Sequence, residues 1–119
     1  MARNAPTIDS YGAGGFRLAG DWRTGSVLIV GDAAQAWPVA SPSDLTLESL
    51  GPVLDAGRAE VELLLLGMGA SNALPSREVR DGLRAAGVGL EFMDTAQAAK
   101  LYNFLTSEGR RVAAGLIAI

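Results

Sequence analysis

Two glycines and an aspartate have the residue types and spacing of a nucleotide-binding site. Gly67 and Gly69 follow an apolar stretch, and Asp94 lies at the end of the next predicted strand. In dinucleotide-binding folds, glycines in the turn after the first strand let a pyrophosphate approach the backbone. An acidic residue after the second strand binds a ribose hydroxyl. The pattern therefore predicts a candidate site for a nucleotide or another small anion.

Three features argue against a complete dinucleotide site. The third glycine of the pattern is replaced by Asn72, and the following helix is predicted to begin only near Ser76. A helix that begins so late cannot hold a phosphate beside the glycines. The chain is also too short for two mononucleotide-binding halves. In the alternative interpretation, the glycines form a tight turn and Asp94 caps a helix.

If this region binds a ligand, five residues are predicted to line the pocket: Gly67, Gly69, Asn72, Asp94 and Thr95. They follow two strands that are predicted to run parallel. Ligands of open α/β sheets bind beyond the carboxyl ends of such strands.

The absence of cysteine and histidine from the sequence excludes several kinds of chemistry. Disulfides, thiol nucleophiles, serine–histidine–acid triads and typical zinc sites cannot form. The glutamates are scattered, with no pair that spacing alone places face to face for glycoside hydrolysis. We therefore predict no catalytic residue, no metal site and no cofactor, and favour a non-catalytic protein.

Length and composition predict one soluble domain spanning residues 1–119. Apolar residues make up 49% of the chain, and the net charge of −3 argues against nucleic acid as a partner. The apolar runs are shorter than the ~20 residues of a membrane span, so a cytoplasmic location is predicted. Basic residues are almost all arginine, which together with abundant Ala and Gly is typical of a GC-rich bacterial genome.

The second half of the chain predicts a βαβ unit followed by a helix and a strand. Val61–Leu66 is apolar apart from Glu62, as in a central strand. Ser76–Ala86 has helical periodicity, and Val88–Met93 reads as a second strand, parallel to the first. Asp94 or Thr95 caps the next helix, and Val112–Ile119 is apolar enough for a strand inside the sheet.

The first half predicts strands and turns. The strands are expected at Ile8–Tyr11, Phe16–Leu18 and Ser26–Val30, with an extended segment at Gln35–Val39. A short helix is predicted from Thr46 to Leu50, ended by Gly51 and Pro52, with a turn at residues 55–57. Trp22 and Trp37 are core residues or, if exposed, anchors for a partner.

Arg110 and Arg111 precede the last predicted strand and are candidates for contacts with a partner. Guanidinium groups bind carboxylates and phosphates well. The alternative is a solvent-exposed strand entry in which an arginine pairs with Glu108.

Several motifs in the second half resemble a known family. A Leu-rich strand runs into Gly67-Met68-Gly69, and Pro75 follows. Further motifs are Met93-Asp94-Thr95, Ala98-Ala99, Tyr102-Asn103 and the run from Glu108 to Ala114. Over residues 60–119 this order resembles the small family that includes the mitochondrial respiratory complex I assembly factor and the adipogenesis-associated protein. The layout of residues 8–54 is consistent with it, whereas Met68 departs from the small polar residue expected there.

The resemblance implies a three-layer α/β fold with a mixed central sheet, helices packed against it and a small N-terminal β layer. It also implies a protein partner, for which a membrane-complex subunit is one candidate, and leaves an oligomer open. No catalytic activity follows from it. The alternative is a small-anion or nucleotide-binding protein or enzyme that uses the Gly67/Asp94 edge of the sheet.

Overall fold

The computed structural model describes residues 5–119, which form two sheets and three α-helices. The strands are β1 (Ile8–Gly12), β2 (Gly15–Leu18), β3 (Asp21–Thr24), β4 (Val27–Val30), β5 (Ala33–Ala36), β6 (Leu63–Gly67), β7 (Gly89–Met93) and β8 (Val112–Leu116). The helices are α1 (Gly51–Glu60), α2 (Arg77–Ala85) and α3 (Thr95–Ser107). Two short 3₁₀ helices, Pro42–Asp44 and Glu48–Leu50, precede α1.

The middle layer is a five-stranded mixed sheet in the order β5-β4-β8-β6-β7. β6 is parallel to both β7 and β8, whereas β4 is antiparallel to β8 and to β5. The predictions that β6 and β7 run parallel and that the last strand lies inside the sheet are confirmed. All five residues of β8 are buried, as expected for a strand covered on both faces.

Alternating residues of β6 separate the two halves of the core. Leu64 and Leu66 pack with Val53 of α1 and with Leu83 of α2. Leu65 faces the other way and packs with Tyr102 of α3, in a cluster that also contains side chains of β1 and β2. The predicted three-layer arrangement is confirmed, with α3 and the antiparallel sheet β1-β2-β3 sharing one face.

The helix ends of the βαβ unit follow from their capping residues. The Ser76 hydroxyl accepts a hydrogen bond from the Val79 amide at 3.3 Å, and α2 begins at the next residue. Gly87, with φ of 76°, lies just beyond the end of α2, where a left-handed conformation favours glycine. The Asp94 carboxylate accepts from the Gln97 amide at 2.9 Å and caps α3.

The connection between the two halves differs from the prediction. The predicted short helix from Thr46 to Leu50 is present as the 3₁₀ helix Glu48–Leu50, whose C-cap is Gly51, but Gly51 and Pro52 also begin α1. Proline is well tolerated in the first helical turn, because its missing N–H has no acceptor there. The predicted turn at residues 55–57 lies within α1, although the chain does bend at Gly57, where φ is 70° and ψ is 177°.

Candidate functional site

A groove opens beyond the carboxyl ends of β6 and β8. Three segments line it, residues 40–42, 68–73 and 117–119, and its volume is about 440 Å³. Because β6 and β8 run parallel and are neighbours, the turn after one strand lies beside the segment after the other. The groove thus lies at the sheet edge where α/β proteins bind ligands.

Thr95 fixes the turn that forms one wall of this groove. Its hydroxyl accepts a hydrogen bond from the Gly69 amide at 3.0 Å and donates one to the Ile117 carbonyl at 2.7 Å. The Thr95 amide in turn donates to the Gly69 carbonyl at 2.9 Å. One fully buried side chain therefore holds the start of α3, the glycine turn and the segment after β8 together.

The two glycines of the predicted site have different surroundings. A Cβ atom at Gly67 would lie 2.9 Å from Thr95 Cα, so a larger residue there would push α3 away from β6. Gly69 has φ of 107°, which favours glycine, and it lines the groove. The Gly69 amide already donates to the Thr95 hydroxyl, so it is not available to a ligand.

The structure brings two of the five predicted ligand-binding residues to the groove wall, Gly69 and Asn72. Gly67, Asp94 and Thr95 lie behind that wall, where Asp94 caps α3. The Asn72 side chain is exposed, and its carbonyl oxygen accepts from the Ala73 amide at 2.9 Å. None of the described residues that line the groove is acidic or basic, so polar contacts there come from hydroxyls, an amide and the backbone.

A second polar cluster lies at the opposite ends of the same strands. Glu62 Oε2 accepts from Arg110 Nε at 3.2 Å and from the Arg111 amide at 3.0 Å. The side-chain hydrogen bond from Arg110 and then the backbone hydrogen bond from Arg111 hold the pKa of Glu62 below its ordinary value. Arg110 thus pairs with Glu62 and not with Glu108, because the ladder of β6 and β8 places Glu62 beside it.

Large apolar side chains are exposed at separate places on the surface. Leu74 is 65% exposed in the loop before α2, and Phe104 is 60% exposed on α3. Phe104 falls on the solvent-facing stripe of α3 with Gln97 and Lys100, so helical spacing from the buried Tyr102 would have identified it. Sequence interpretation missed both exposed side chains.

The two tryptophans have different roles. Trp37 is buried, and its indole Nε1 donates to the Ser49 carbonyl at 2.9 Å. Trp22 lies on β3 with 43% of its surface exposed, and its Nε1 donates to Thr24 Oγ1 at 3.2 Å. Of the two tryptophans only Trp22 is exposed, so only Trp22 is a candidate anchor for a partner.

Comparison with known proteins gives the family. A family model described as a protein of unknown function (DUF498/DUF598) matches residues 8–117. The chain belongs to the DUF498/DUF598 family. An uncharacterized protein of Rhodobacter capsulatus is 44% identical over 92% of this chain and 82% of its own length.

This chain is also similar to a protein that is named as an assembly factor. The NADH dehydrogenase [ubiquinone] 1 alpha subcomplex assembly factor 3 of Danio rerio is 36% identical over 92% of this chain. The chain spans 63% of the length of that protein. The resemblance stated from the sequence motifs is thereby confirmed.

Solved structures of similar proteins share the fold. An outer membrane protein from Bartonella henselae has a TM-score of 0.91 and 30% identity, with 99% of this chain and 98% of that chain covered. A Bordetella pertussis protein, described as a Mth938-like domain, has a TM-score of 0.81 and 30% identity over 98% of this chain and 88% of its own. Within residues 5–119, no helix combines the length and apolar character needed to cross a bilayer.

Proposed function

We propose that this chain is a non-catalytic protein-interaction module that assists the assembly of a membrane complex. The observation that carries the proposal is the 36% identity, over 92% of the chain, to a protein named as an assembly factor. The chemistry of the groove is consistent with it. Its described lining offers no ionisable side chain that could act as a general acid, a general base or an activated nucleophile.

The surface offers features that suit a protein partner. Exposed apolar side chains such as Phe104 lose unfavourable contact with water when a partner covers them. Arg110 and Arg111 are our candidates for polar contacts with that partner. Glu62 accepts from both residues, so the backbone that carries the two guanidinium groups is already ordered before binding. Ordered groups lose less conformational entropy on association.

Affinity capture from gently solubilised membranes of the native host tests the assembly role. We expect subunits of a membrane complex to co-purify with the native protein and to be lost with the Arg110→Ala/Arg111→Ala variant. The Arg77→Ala/Arg84→Ala variant removes two exposed arginines of α2 and should retain them. Equal recovery with both double variants would contradict the arginine contact. Recovery of no specific subunit with the native protein would contradict the assembly role.

A second candidate function, binding of a small anion or nucleotide, is favoured by the groove beside Gly69. Its volume of about 440 Å³ lies within the range of small-molecule sites, and it opens beyond the carboxyl ends of parallel strands. A thermal-shift titration with inorganic phosphate and adenosine monophosphate tests it. Binding would raise the midpoint of the native protein and of Asp94→Asn, which keeps a capping side chain. Asn72→Ala should abolish the shift, and a flat response of the native protein would reject the candidate.

A further inference from the structure

β7 leaves an open edge at one side of the five-stranded sheet. Within residues 5–119 it pairs with β6 alone. The Gly89 amide donates to the Glu62 carbonyl at 3.0 Å, and the Met93 carbonyl accepts from the Met68 amide at 2.8 Å. Along a strand, every second residue directs its amide and carbonyl groups toward one neighbouring strand, and the residues between direct theirs to the opposite side. These two bonds therefore determine which residues of β7 direct their backbone groups away from β6.

The outward-facing residues are Leu90 and Phe92. Gly89 and Met93 hydrogen-bond toward β6, and the alternation places Glu91 with them. The amide and carbonyl groups of Leu90 and Phe92 therefore point away from the sheet. They offer two donors and two acceptors to an added strand.

Apolar side chains flank this edge on the α3 side. Asn103 of α3 hydrogen-bonds both backbone groups of Ile8 in β1, so that side of the helix faces β1. Leu101 and Leu105 lie roughly 160–200° around the helix from Asn103 and so face the opposite side, toward β7. Both are half-buried. We call Leu101 and Leu105 the α3 strip.

The other face of the edge is also apolar. The side chains of Leu90 and Phe92 are half-buried and pack against the cluster that contains α1 and α2. An extended segment added to β7 would thus gain backbone hydrogen bonds along the edge and apolar contacts on both faces. Protein domains that recognise peptides by strand addition use the same combination.

The charge of Glu91 determines which kind of strand can pair with β7. If two copies of this chain paired through β7 around a two-fold axis, in the register that pairs all the outward backbone groups, Leu90 of one copy would face Phe92 of the other. Glu91 would then lie directly opposite its own copy. Glu91 is exposed, and like charges directly opposite each other destabilise a strand pair. A segment with a basic residue at that position would instead be stabilised.

We propose that β7 binds an extended segment of another protein as an added sixth strand, with a basic residue opposite Glu91. The residues two positions before and after that basic residue lie on the same face, because side chains alternate along a strand. They are apolar and cover the α3 strip. The inference rests on the proposed interaction function and specifies its surface and the chemistry of its partner.

A pair of matched peptides tests this proposal. One has the sequence Thr-Val-Thr-Arg-Thr-Val-Thr, and the other has glutamate in place of arginine. In an amide NMR titration we expect the Leu90 and Phe92 signals to shift most. The arginine peptide should bind about 2- to 10-fold more tightly than the glutamate peptide. Glu91→Lys should reverse that preference, and Glu48→Lys, which changes an exposed glutamate far from β7 in sequence, should leave it unchanged.

Several outcomes would overturn the proposal. They are the lack of a saturable shift at Leu90 and Phe92 with either peptide, a preference that Glu91→Lys leaves intact, and shifts centred on residues 69–73. Shifts at β7 that grow with protein concentration alone would assign the edge to a second copy. Affinity capture separates this proposal from the assembly role. If subunits are recovered equally with native protein and Glu91→Lys, the edge is not the contact, whereas the assembly role stands.

Discussion

The hydroxyl of Thr95 donates a hydrogen bond to the backbone carbonyl of Ile117 over 2.7 Å. The same oxygen accepts from the Gly69 amide at 3.0 Å. A residue at the first position of α3 thus connects two segments that follow neighbouring parallel strands. The shape of the groove beside Gly69 depends on this one side chain, although the side chain does not line it.

We predict that Thr95→Val destabilises the protein by about 2–4 kcal/mol, because each buried polar group left unpaired costs about 1–3 kcal/mol. The Gly69 amide and the Ile117 carbonyl would both lose their partner. Thr95→Ser keeps the hydroxyl and should cost about 1 kcal/mol for the lost methyl group. Urea unfolding followed by circular dichroism measures both. Equal losses for the two variants would show that the hydroxyl contributes little.

Tyr102 should make stability fall at high pH. Its hydroxyl donates to the Pro6 carbonyl at 2.9 Å, and burial raises the pKa of Tyr102 above its ordinary value of 10.0. Below pH 10 the phenol is neutral in both states, so the full stability is present. Above that pH the unfolded state releases its proton while the folded state retains it, which lowers the free energy of unfolding by about 1.4 kcal/mol per pH unit.

Urea unfolding between pH 8 and pH 11.5 checks this expectation. The decline should be steeper for the native protein than for Tyr102→Phe, which has no phenol to ionise. Tyr11→Phe removes an exposed phenol and should keep the steep decline. A decline that is identical in native protein and Tyr102→Phe would contradict the buried-phenol explanation.

The carboxyl group of Glu62 should titrate at a lower pH than an ordinary glutamate. The hydrogen bond from Arg110 lowers the pKa of Glu62, followed by the hydrogen bond from the Arg111 amide. A lowered folded-state pKa stabilises the protein above the ordinary pKa of about 4.5, and that contribution is lost as pH falls through the lowered pKa. NMR titration of the carboxyl carbon should show the pKa of Glu62 rising in Arg110→Ala and unchanged in Arg84→Ala. An unmoved pKa in Arg110→Ala would refute the assignment.

Gly115 and Trp37 should be strongly coupled. A Cβ atom at Gly115 would lie 2.7 Å from Cη2 of the buried Trp37 ring. We therefore expect Gly115→Ala to cost about 1–3 kcal/mol, as overpacking of a core does. Trp37→Phe removes the colliding ring, so the double variant should be more stable than the sum of the two single losses predicts. Urea unfolding of all four proteins tests this, and strict additivity would mean that the ring moves aside freely.

The helices with strong end residues were predictable from sequence. The predicted helix Ser76–Ala86 agrees with α2 to within one residue at each end, and Asp94 marks the start of α3. β3 escaped prediction because all four of its residues are exposed, which leaves no alternation of apolar and polar residues. α1 was not predicted because Gly51 and Pro52 favour the end of a helix, although proline is also common in the first turn of one.

The candidate site was less predictable because its contacts cross the sheet. The bond between Thr95 and Ile117 joins residues 22 positions apart, and the bond between Glu62 and Arg110 joins residues 48 apart. Both depend on β6 and β8 being neighbours in register, which no local pattern reveals. Sequence order did place Gly69 and Asn72 correctly at one end of the parallel strands.

The central position of β8 has a consequence for synthesis of the protein. β4 with β5 and β6 with β7 emerge from the ribosome as two separate strand pairs, because neither pair hydrogen-bonds to the other without β8. Translation adds about 5–20 residues per second. The apolar edges of β4 and β6 therefore remain unpaired for several seconds, until residues 112–116 have been added. During that interval the nascent chain is exposed to aggregation and to chaperone binding. Premature termination before β8 would leave it without a complete core.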